Sequence, residues 1–221
     1  MLKNLVNAAM VLSVCLSIGY AKPLKECKSE KDKMRGCVEK GYYDNGQLQS
    51  ENPYKNGQRN GIAKGYYKSG QIRNEIPYEN DKVNGIVKEY LDGTEQPYIE
   101  IPYENNKKNG IAKGYYKSGQ IRNEIPYEND KENGVEKWYY ESGQIERETP
   151  YKNGQRNGVE KEYYESGQLM TEIPYGYDKK KDVSKDYYES GQLKKERLYE
   201  YDRTITRKEY DESGKLIIST E

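Results

Sequence analysis

The chain has 221 residues, and its 37 Lys and Arg residues balance its 37 Asp and Glu residues, so the formal net charge is zero. It contains 25 Tyr but no His and no Phe, and 33% of its residues are apolar. The absence of His excludes catalysis by histidine, metal sites with histidine ligands and histidine pH switches. The neutral charge disfavours nucleic-acid binding, which needs a basic surface. The low apolar content rules out a thick aliphatic core.

Residues 1–21 have the pattern of a secretory signal peptide. One early cation, Lys3, precedes an apolar run to Ile18, and the segment ends on small residues that suit a cleavage site. The apolar run of about 13 residues is shorter than the ~20 that span a bilayer. We therefore expect a secreted or periplasmic protein. Lipid anchoring through Cys15 is the less favoured alternative, because Val14 is an unusual residue before a lipidated cysteine.

Residues 22–36 form a charged segment between this leader and the remainder of the chain. Cys27 lies in the segment and Cys37 directly follows it. Export would place both thiols in an oxidising compartment, where we expect them to form a disulfide. Such a bond would fix the start of the mature chain onto the first repeat.

Residues 37–221 consist of one motif repeated about eight times, as in solenoid and array proteins. The period is 24 residues, and residues 61–82 and 110–131 are identical. The third copy, residues 85–109, is one residue longer, and Leu91 replaces the second tyrosine of its pair. We interpret the extra residue as a bulge left by an insertion. A kink or contact point midway along the array is the alternative.

Each copy is predicted to be a β-hairpin, because Gly, Pro and Asn recur every dozen residues and leave no room for a helix of normal length. In the second copy, residues 62–67 are the outgoing strand and residues 71–78 the return strand. Ser69-Gly70 is predicted to be a two-residue turn, and residues 79–84 a polar connector. The fold class is therefore all-β, an elongated single-sheet antiparallel meander.

The turn at Ser69-Gly70 predicts a strand register. Lys64 would face Glu75, and this Lys–Glu match recurs in other copies, which would penalise a slip of the strands. The same register pairs Tyr66 with Arg73 and Tyr67 with Ile72. One face would then carry the tyrosines and small residues: Ala63, Gly65, Tyr67, Ile72, Ile76 and Tyr78. Each proline near the end of a return strand is expected to end pairing there.

A tyrosine pair followed by a turn glycine marks most copies: Tyr42-Tyr43 to Gly46, Tyr66-Tyr67 to Gly70, Tyr115-Tyr116 to Gly119, Tyr139-Tyr140 to Gly143, Tyr163-Tyr164 to Gly167, and Tyr187-Tyr188 to Gly191. This unit resembles the MORN repeat, and most closely its bacterial variant, found in proteins labelled YwqK family antitoxins. The resemblance covers nearly all of the mature chain. It implies a single-sheet scaffold for protein or membrane contacts, with no shared catalytic residues.

We expect an exported, non-catalytic scaffold that mediates protein–protein interaction at the bacterial envelope or outside the cell. No enzyme, cofactor or metal site is expected, because the chain lacks His and its Glu residues recur identically from copy to copy. The expected partner is a protein. Nucleic acid is not expected, and the balanced charge disfavours contact with an anionic membrane. The candidate binding surface is aromatic: Tyr67, Tyr116, Trp138, Tyr140, Tyr164 and Tyr188.

Two alternative functions remain open. The tyrosine pairs also resemble choline- and glucan-binding wall repeats, which build ligand boxes from aromatic residues with Trp prominent, so binding of a cell-wall glycan or choline is one alternative. The sequence has one Trp, Trp138. An antitoxin-like role, implied by the family label, is the other. It fits poorly with export, because a secreted protein cannot easily neutralise a cytoplasmic toxin.

Overall fold

The computed structural model describes residues 24–220, so the predicted signal peptide and the lipidation alternative at Cys15 lie outside the described residues. Within this range the chain forms one open antiparallel sheet of 22 strands and one short helix, Glu30–Arg35. The predicted all-β, single-sheet meander is confirmed. Sixteen of the strands are long, and at about 4.8 Å per strand they span roughly 75 Å.

Seven copies share one plan, an outgoing strand, a return strand and, in six of them, a two-residue strand that leads into the next copy. The outgoing strands are Cys37–Tyr42, Gly61–Tyr66, Gly85–Tyr90, Gly110–Tyr115, Gly134–Tyr139, Gly158–Tyr163 and Asp182–Tyr187. The return strands are Leu48–Lys55, Ile72–Glu79, Pro97–Glu104, Ile121–Glu128, Ile145–Lys152, Leu169–Gly176 and Leu193–Glu200. The two-residue strands are Gln58–Arg59, Lys82–Val83, Lys107–Lys108, Lys131–Glu132, Gln155–Arg156 and Lys179–Lys180. A last hairpin pairs Arg203–Tyr210 with Leu216–Thr220.

The turn between outgoing and return strands, here called the wide turn, has three residues instead of the predicted two. In the second copy the Tyr67 N–H donates to the Gln71 carbonyl at 2.8 Å, and the Gly70 N–H donates to the Tyr67 carbonyl at 2.9 Å. Gly70 has φ 89, the left-handed conformation that closes a three-residue hairpin loop. The prediction of a two-residue Ser69-Gly70 turn was therefore wrong.

A bulge next to the wide turn changes the predicted register for its last two pairs. Lys64 faces Glu75 as predicted, and Gly65 faces Asn74, but Tyr66 then faces Ile72. The extra residue is Arg73, so the predicted Tyr66–Arg73 and Tyr67–Ile72 pairs were wrong. One bulged residue shifts the alternation of side chains along the strand, so Ile72 lies on the same face as Tyr66. The prediction that Ile72 shares a face with Ile76 was therefore wrong.

The predicted polar connector is a second hairpin turn, here called the narrow turn. Glu79 pairs with Lys82, and the two residues between them, Asn80 and Asp81, have φ 49 and φ 64. Positive φ at both central positions defines a type I′ turn, which Asn and Asp tolerate. The Asp81 N–H donates to the Arg59 carbonyl at 3.0 Å, so consecutive narrow turns are hydrogen bonded to each other.

The prolines do not end strand pairing, contrary to the prediction. Pro77 pairs with Ile62, and pairing continues to Tyr78. Proline has no backbone N–H to donate, but the Pro77 carbonyl still accepts a 3.0 Å hydrogen bond from the Asn84 N–H. Gly85, at φ 119, passes so close that a Cβ would lie 3.0 Å from Pro77 Cγ. Only glycine suits this position.

The N-terminal segment caps the first edge of the sheet. Cys27 and Cys37 form the expected disulfide, and the Cys27 N–H donates to the Val38 carbonyl at 2.9 Å. The helix ends against the first narrow turn, where the Gly57 N–H donates to the Lys33 carbonyl at 3.0 Å. Its C-terminal end thus occupies the place that a preceding narrow turn takes in later copies.

Candidate interaction surface

The sheet has two solvent-facing sides with different chemistry. Because side chains alternate along a strand, Lys64 and Glu75 lie on one side, here called the ladder face. Ala63 and Tyr78 lie on the opposite face. The opposite face is the more buried: Ala63, Ala112 and Tyr175 are each less than a tenth exposed. Large apolar side chains that are exposed in a regular pattern are found on the ladder face.

Lys and Glu alternate without interruption along the ladder face. Each Glu faces one Lys of its own copy and one of the next, as Glu75 does between Lys64 and Lys88. The ladder consists of Lys40, Glu51, Lys64, Glu75, Lys88, Glu100, Lys113, Glu124, Lys137, Glu148, Lys161, Glu172, Lys185, Glu196 and Lys208. Six ion pairs within copies measure 3.2 to 3.8 Å. The predicted Lys–Glu pairing is confirmed.

A tyrosine from the following copy completes each step of the ladder. The Tyr90 hydroxyl donates to Glu75 Oε2 at 3.0 Å, and the Tyr115 hydroxyl donates to Glu100 Oε2 at 2.8 Å. Burial, and then the hydrogen bond to glutamate, raise the pKa of both tyrosines to about 12. Both oxygens of each such glutamate are therefore engaged, which gives the ladder a role in joining copies.

A row of exposed aliphatic residues and half-buried prolines lies beside the ladder, and we call it the aliphatic stripe. It consists of Ile62, Pro77, Ile86, Pro102, Ile111, Pro126, Val135, Pro150, Val159, Pro174, Val183 and Leu198, one residue on each of 12 consecutive long strands. Its Ile and Val side chains are 40 to 53% exposed. At the spacing of neighbouring strands, the stripe is about 50 Å long.

Both edges of the aliphatic stripe are polar and hydrogen bonded. The Lys–Glu–Tyr ladder forms one edge. On the other, an asparagine amide donates to a glutamate of the same copy, as Asn84 Nδ2 does to Glu79 and Asn109 Nδ2 to Glu104, both at 2.5 Å. None of the residues of this stripe was predicted to form a binding surface. The signal was present, since the Lys64–Glu75 register already places Ile62 opposite Pro77 on the same face.

The five tyrosines of the predicted binding surface form a separate row at the wide turns. Each donates its hydroxyl to a backbone carbonyl in the next copy at 2.6 to 2.9 Å. The bonds run from Tyr67 to Tyr90, Tyr116 to Tyr139, Tyr140 to Tyr163, Tyr164 to Tyr187 and Tyr188 to Tyr210. Their rings are half-buried, so these tyrosines connect copies and expose only part of each ring.

Trp138 lies on the opposite face, two residues before Tyr140 in the chain and between Asn123 and Arg147. Its indole N–H donates to Glu136 Oε1 at 2.8 Å, and the guanidinium of Arg147 is 5.4 Å from the ring centroid. Glu136 is 8% exposed. Arg122, which lines a notch together with Tyr116, is 5.8 Å from the centroid of the Trp138 ring, so Trp138 lies beside the row of wide-turn tyrosines.

The extra residue of the third copy lies in its wide turn. Tyr90 faces Pro97, and Lys88 keeps its pairing with Glu100, so the strand register is unchanged by the insertion. The bulge interpretation was therefore wrong, because the insertion lengthens the turn and leaves the ladder intact. Leu91 and Pro97 line an open notch of about 380 Å³ beside the fourth copy.

Among residues 24–220, no cluster of three or more Cys, Asp or Glu side chains is arranged to hold a metal ion. Over the same residues, no helix has the length and hydropathy needed to cross a membrane.

The sequence matches the family model described as the MORN repeat variant. The matches cover residues 38–56, 59–80, 108–129, 132–153, 156–176 and 183–201, more than half of the chain. Most of the third copy falls between the second and third matches, in agreement with its altered turn. No curated protein matches the chain.

Proposed function

Because the chain belongs to the MORN repeat variant family, whose repeats generally mediate protein or membrane interactions, we propose that it is a non-catalytic scaffold that binds a protein partner. Repeats of this family are generally scaffolds and not enzymes. The aliphatic stripe is the surface that carries the proposal.

The aliphatic stripe has the composition of a protein interface. Soluble proteins seldom leave a large contiguous apolar patch exposed unless it binds something. Ile62, Ile86 and Ile111 are each at least half exposed, at the same position of three consecutive copies. Polar edges with satisfied hydrogen bonds surround the apolar centre, which is the arrangement of interfaces between proteins. No fold requirement explains why this position is aliphatic, since it is a solvent-facing position in each of these copies.

The charges beside the aliphatic stripe favour a protein over an anionic membrane. Attraction to acidic lipids needs Lys and Arg clusters without opposing acids. Each ladder lysine instead faces at least one glutamate, as Lys64 and Lys113 do with Glu75 and Glu124. The ladder beside the aliphatic stripe therefore has no net charge, which suits a protein partner with a complementary apolar surface. The half-exposed rings of Tyr67, Tyr116, Tyr140, Tyr164 and Tyr188, with Trp138, are proposed as a separate contact region, which the partner on the aliphatic stripe does not need to reach.

We further propose that the protein acts at the bacterial envelope or outside the cell, after export directed by residues 1–21. The Cys27–Cys37 disulfide is compatible with an oxidising compartment. An exported location also makes the antitoxin-like alternative unfavourable, because the protein would be separated from a cytoplasmic toxin.

Partner capture followed by affinity measurement tests the proposal. The mature chain is used to capture proteins from envelope extract, and the captured protein is identified, purified and titrated against variants. Replacing Ile62, Ile86 and Ile111 with Lys should weaken binding by on the order of 100-fold, because the centre of the interface would have to bury three charges.

The matched control adds the same charges away from the aliphatic stripe. Ser118, Ser142 and Ser166 lie exposed in wide turns, and changing all three to Lys should leave the affinity unchanged. Equal affinity of wild-type protein and the stripe variant would contradict the proposal. So would binding of both proteins to anionic vesicles without any protein partner.

A further inference from the structure

The junction of the sixth and seventh copies breaks the repeat pattern at four positions. Gly176 replaces a Glu or Lys, Tyr177 replaces an Asn, Lys181 replaces another Asn, and Asp182 replaces a Gly. Each of the five preceding copies keeps the usual residue at all four positions. Departures from a consistent local pattern concentrate at functional sites, so these four residues mark the junction as a candidate site.

Two of the narrow turns present strained, exposed aromatic residues. Tyr177 has φ 52 and Tyr201 has φ 47, in a turn position where the five preceding copies have Asn. A bulky side chain seldom adopts positive φ, whereas Asn does so readily. The two rings are 71% and 80% exposed, more than any other large apolar side chain of residues 24–220.

The fold does not require tyrosine at these positions. The second residue of each turn makes the contact between copies. The Arg156 N–H donates to Asp178 Oδ1 and the Lys180 N–H to Asp202 Oδ1, both at 2.8 Å. Asp81 accepts the same bond in the second copy, where Asn precedes it. Stacking of the turns therefore does not explain the strain at Tyr177.

An open notch of about 580 Å³ lies between the two turns. Tyr177, Tyr199 and Tyr201 line it, together with Asn157 and Glu200. Gly176 provides part of its space, since a Cβ there would lie 3.1 Å from Lys181 Cδ. The tips of the two turns are one copy apart, about 10 Å at the spacing of two strands.

The charges of the notch are balanced, which favours a neutral ligand. Lys179 pairs with Asp202 at 3.1 Å, and Lys181 pairs with Asp182 at 3.7 Å. The lining then offers aromatic rings, the Asn157 amide and the Glu200 carboxylate, and its two lysines equal its two acidic residues in number. A sugar ring combines apolar C–H faces, which pack on aromatic rings, with hydroxyls that donate to and accept from such groups.

We propose that the notch between Tyr177 and Tyr201 binds one residue of a neutral oligosaccharide. In this complex the sugar packs a C–H face on a tyrosine ring, and its hydroxyls bond to Asn157 and Glu200. The proposal does not depend on the aliphatic stripe, so the two can fail separately.

Titration of the mature chain with chitotetraose, cellotetraose and maltotetraose, followed by amide NMR and calorimetry, tests this site. At least one of the three should shift the amide signals of residues 176–182. Changing Tyr177 and Tyr201 together to Asn should weaken that binding by at least tenfold. The thermal midpoint should rise or stay equal, because Asn is the residue that suits positive φ.

Tyr42→Asn is the matched control, since Tyr42 is 51% exposed and lies in the first copy. It should leave sugar binding unchanged. The proposal is overturned if none of the three sugars shifts these signals at millimolar concentration, or if the double variant binds as well as wild type. A third outcome also overturns it: the wild type binds none of the sugars, and the double variant loses affinity for a captured protein partner, so that the notch binds protein.

Discussion

The Tyr66 hydroxyl donates a 2.7 Å hydrogen bond to Oε2 of Glu51 in the preceding copy, while Glu51 Oε1 lies 3.2 Å from Lys40 Nζ. The hydrogen bond from Tyr66 and the ion pair with Lys40 hold the pKa of Glu51 below its usual value against the opposing effect of burial. One carboxylate thus connects two copies. Because each copy contacts only its neighbours, such contacts decide how strongly the array holds together.

Removing one ladder hydroxyl should therefore weaken the contact between two copies. Tyr115→Phe deletes the hydrogen bond to Glu100 and leaves the ring in place. We expect a loss of about 1–2 kcal/mol in the free energy of unfolding, because the lost bond has a charged acceptor. Denaturant titration measures it. Tyr42→Phe is the control, since this exposed tyrosine precedes the first ladder glutamate, and an equal loss in both variants would contradict the role of the bond.

The ladder tyrosines predict a loss of stability in alkali. Burial, and then hydrogen bonding to glutamate, raise the pKa of Tyr90, Tyr115 and Tyr139 to about 12, above the value near 10 of an unfolded chain. Between pH ~10 and 12 the folded state therefore binds more protons than the unfolded state. The contribution of these tyrosines to the free energy of unfolding is complete below pH ~10 and is lost as the pH rises towards 12. Unfolding followed by circular dichroism should coincide with tyrosinate absorbance. Tyrosinate formation in a chain that stays folded would contradict this.

The disulfide should stabilise the first copy. Cys27 and Cys37 are 10 residues apart, and closing so short a loop contributes about 2–3 kcal/mol in the chain-entropy model. Reductant should lower the thermal midpoint of the wild type. The double variant Cys27→Ser, Cys37→Ser should start from that lower midpoint and not respond to reductant. A reductant effect of equal size on both proteins would show that the bond is not its cause.

The Lys–Glu register was predictable because one pairing rule, repeated in many copies, allows only one alignment of the strands. The turns were less predictable. Gly70 at the end of a loop fits both a two-residue and a three-residue hairpin, and the choice depends on the bulge at Arg73. Asn80 and Asp81 were predicted to lie in a polar connector, although both residue types tolerate the positive φ that the narrow turn needs.

The aliphatic stripe was missed for a different reason. The tyrosines join the copies through hydroxyl bonds such as that of Tyr67 to the Tyr90 carbonyl. The structure instead leaves Ile62 and its equivalents exposed, a distinction that depends on which face each strand position occupies.

Photo-crosslinking tests the central claim, that the aliphatic stripe contacts a protein partner, most directly. A photoreactive amino acid is placed at Ile86 in one version of the exported protein and at Ser118 in another, and both are irradiated in intact cells. We predict that the Ile86 version crosslinks to one specific protein and the Ser118 version does not. Crosslinking from Ser118 alone, or from neither position to any protein, would contradict the account.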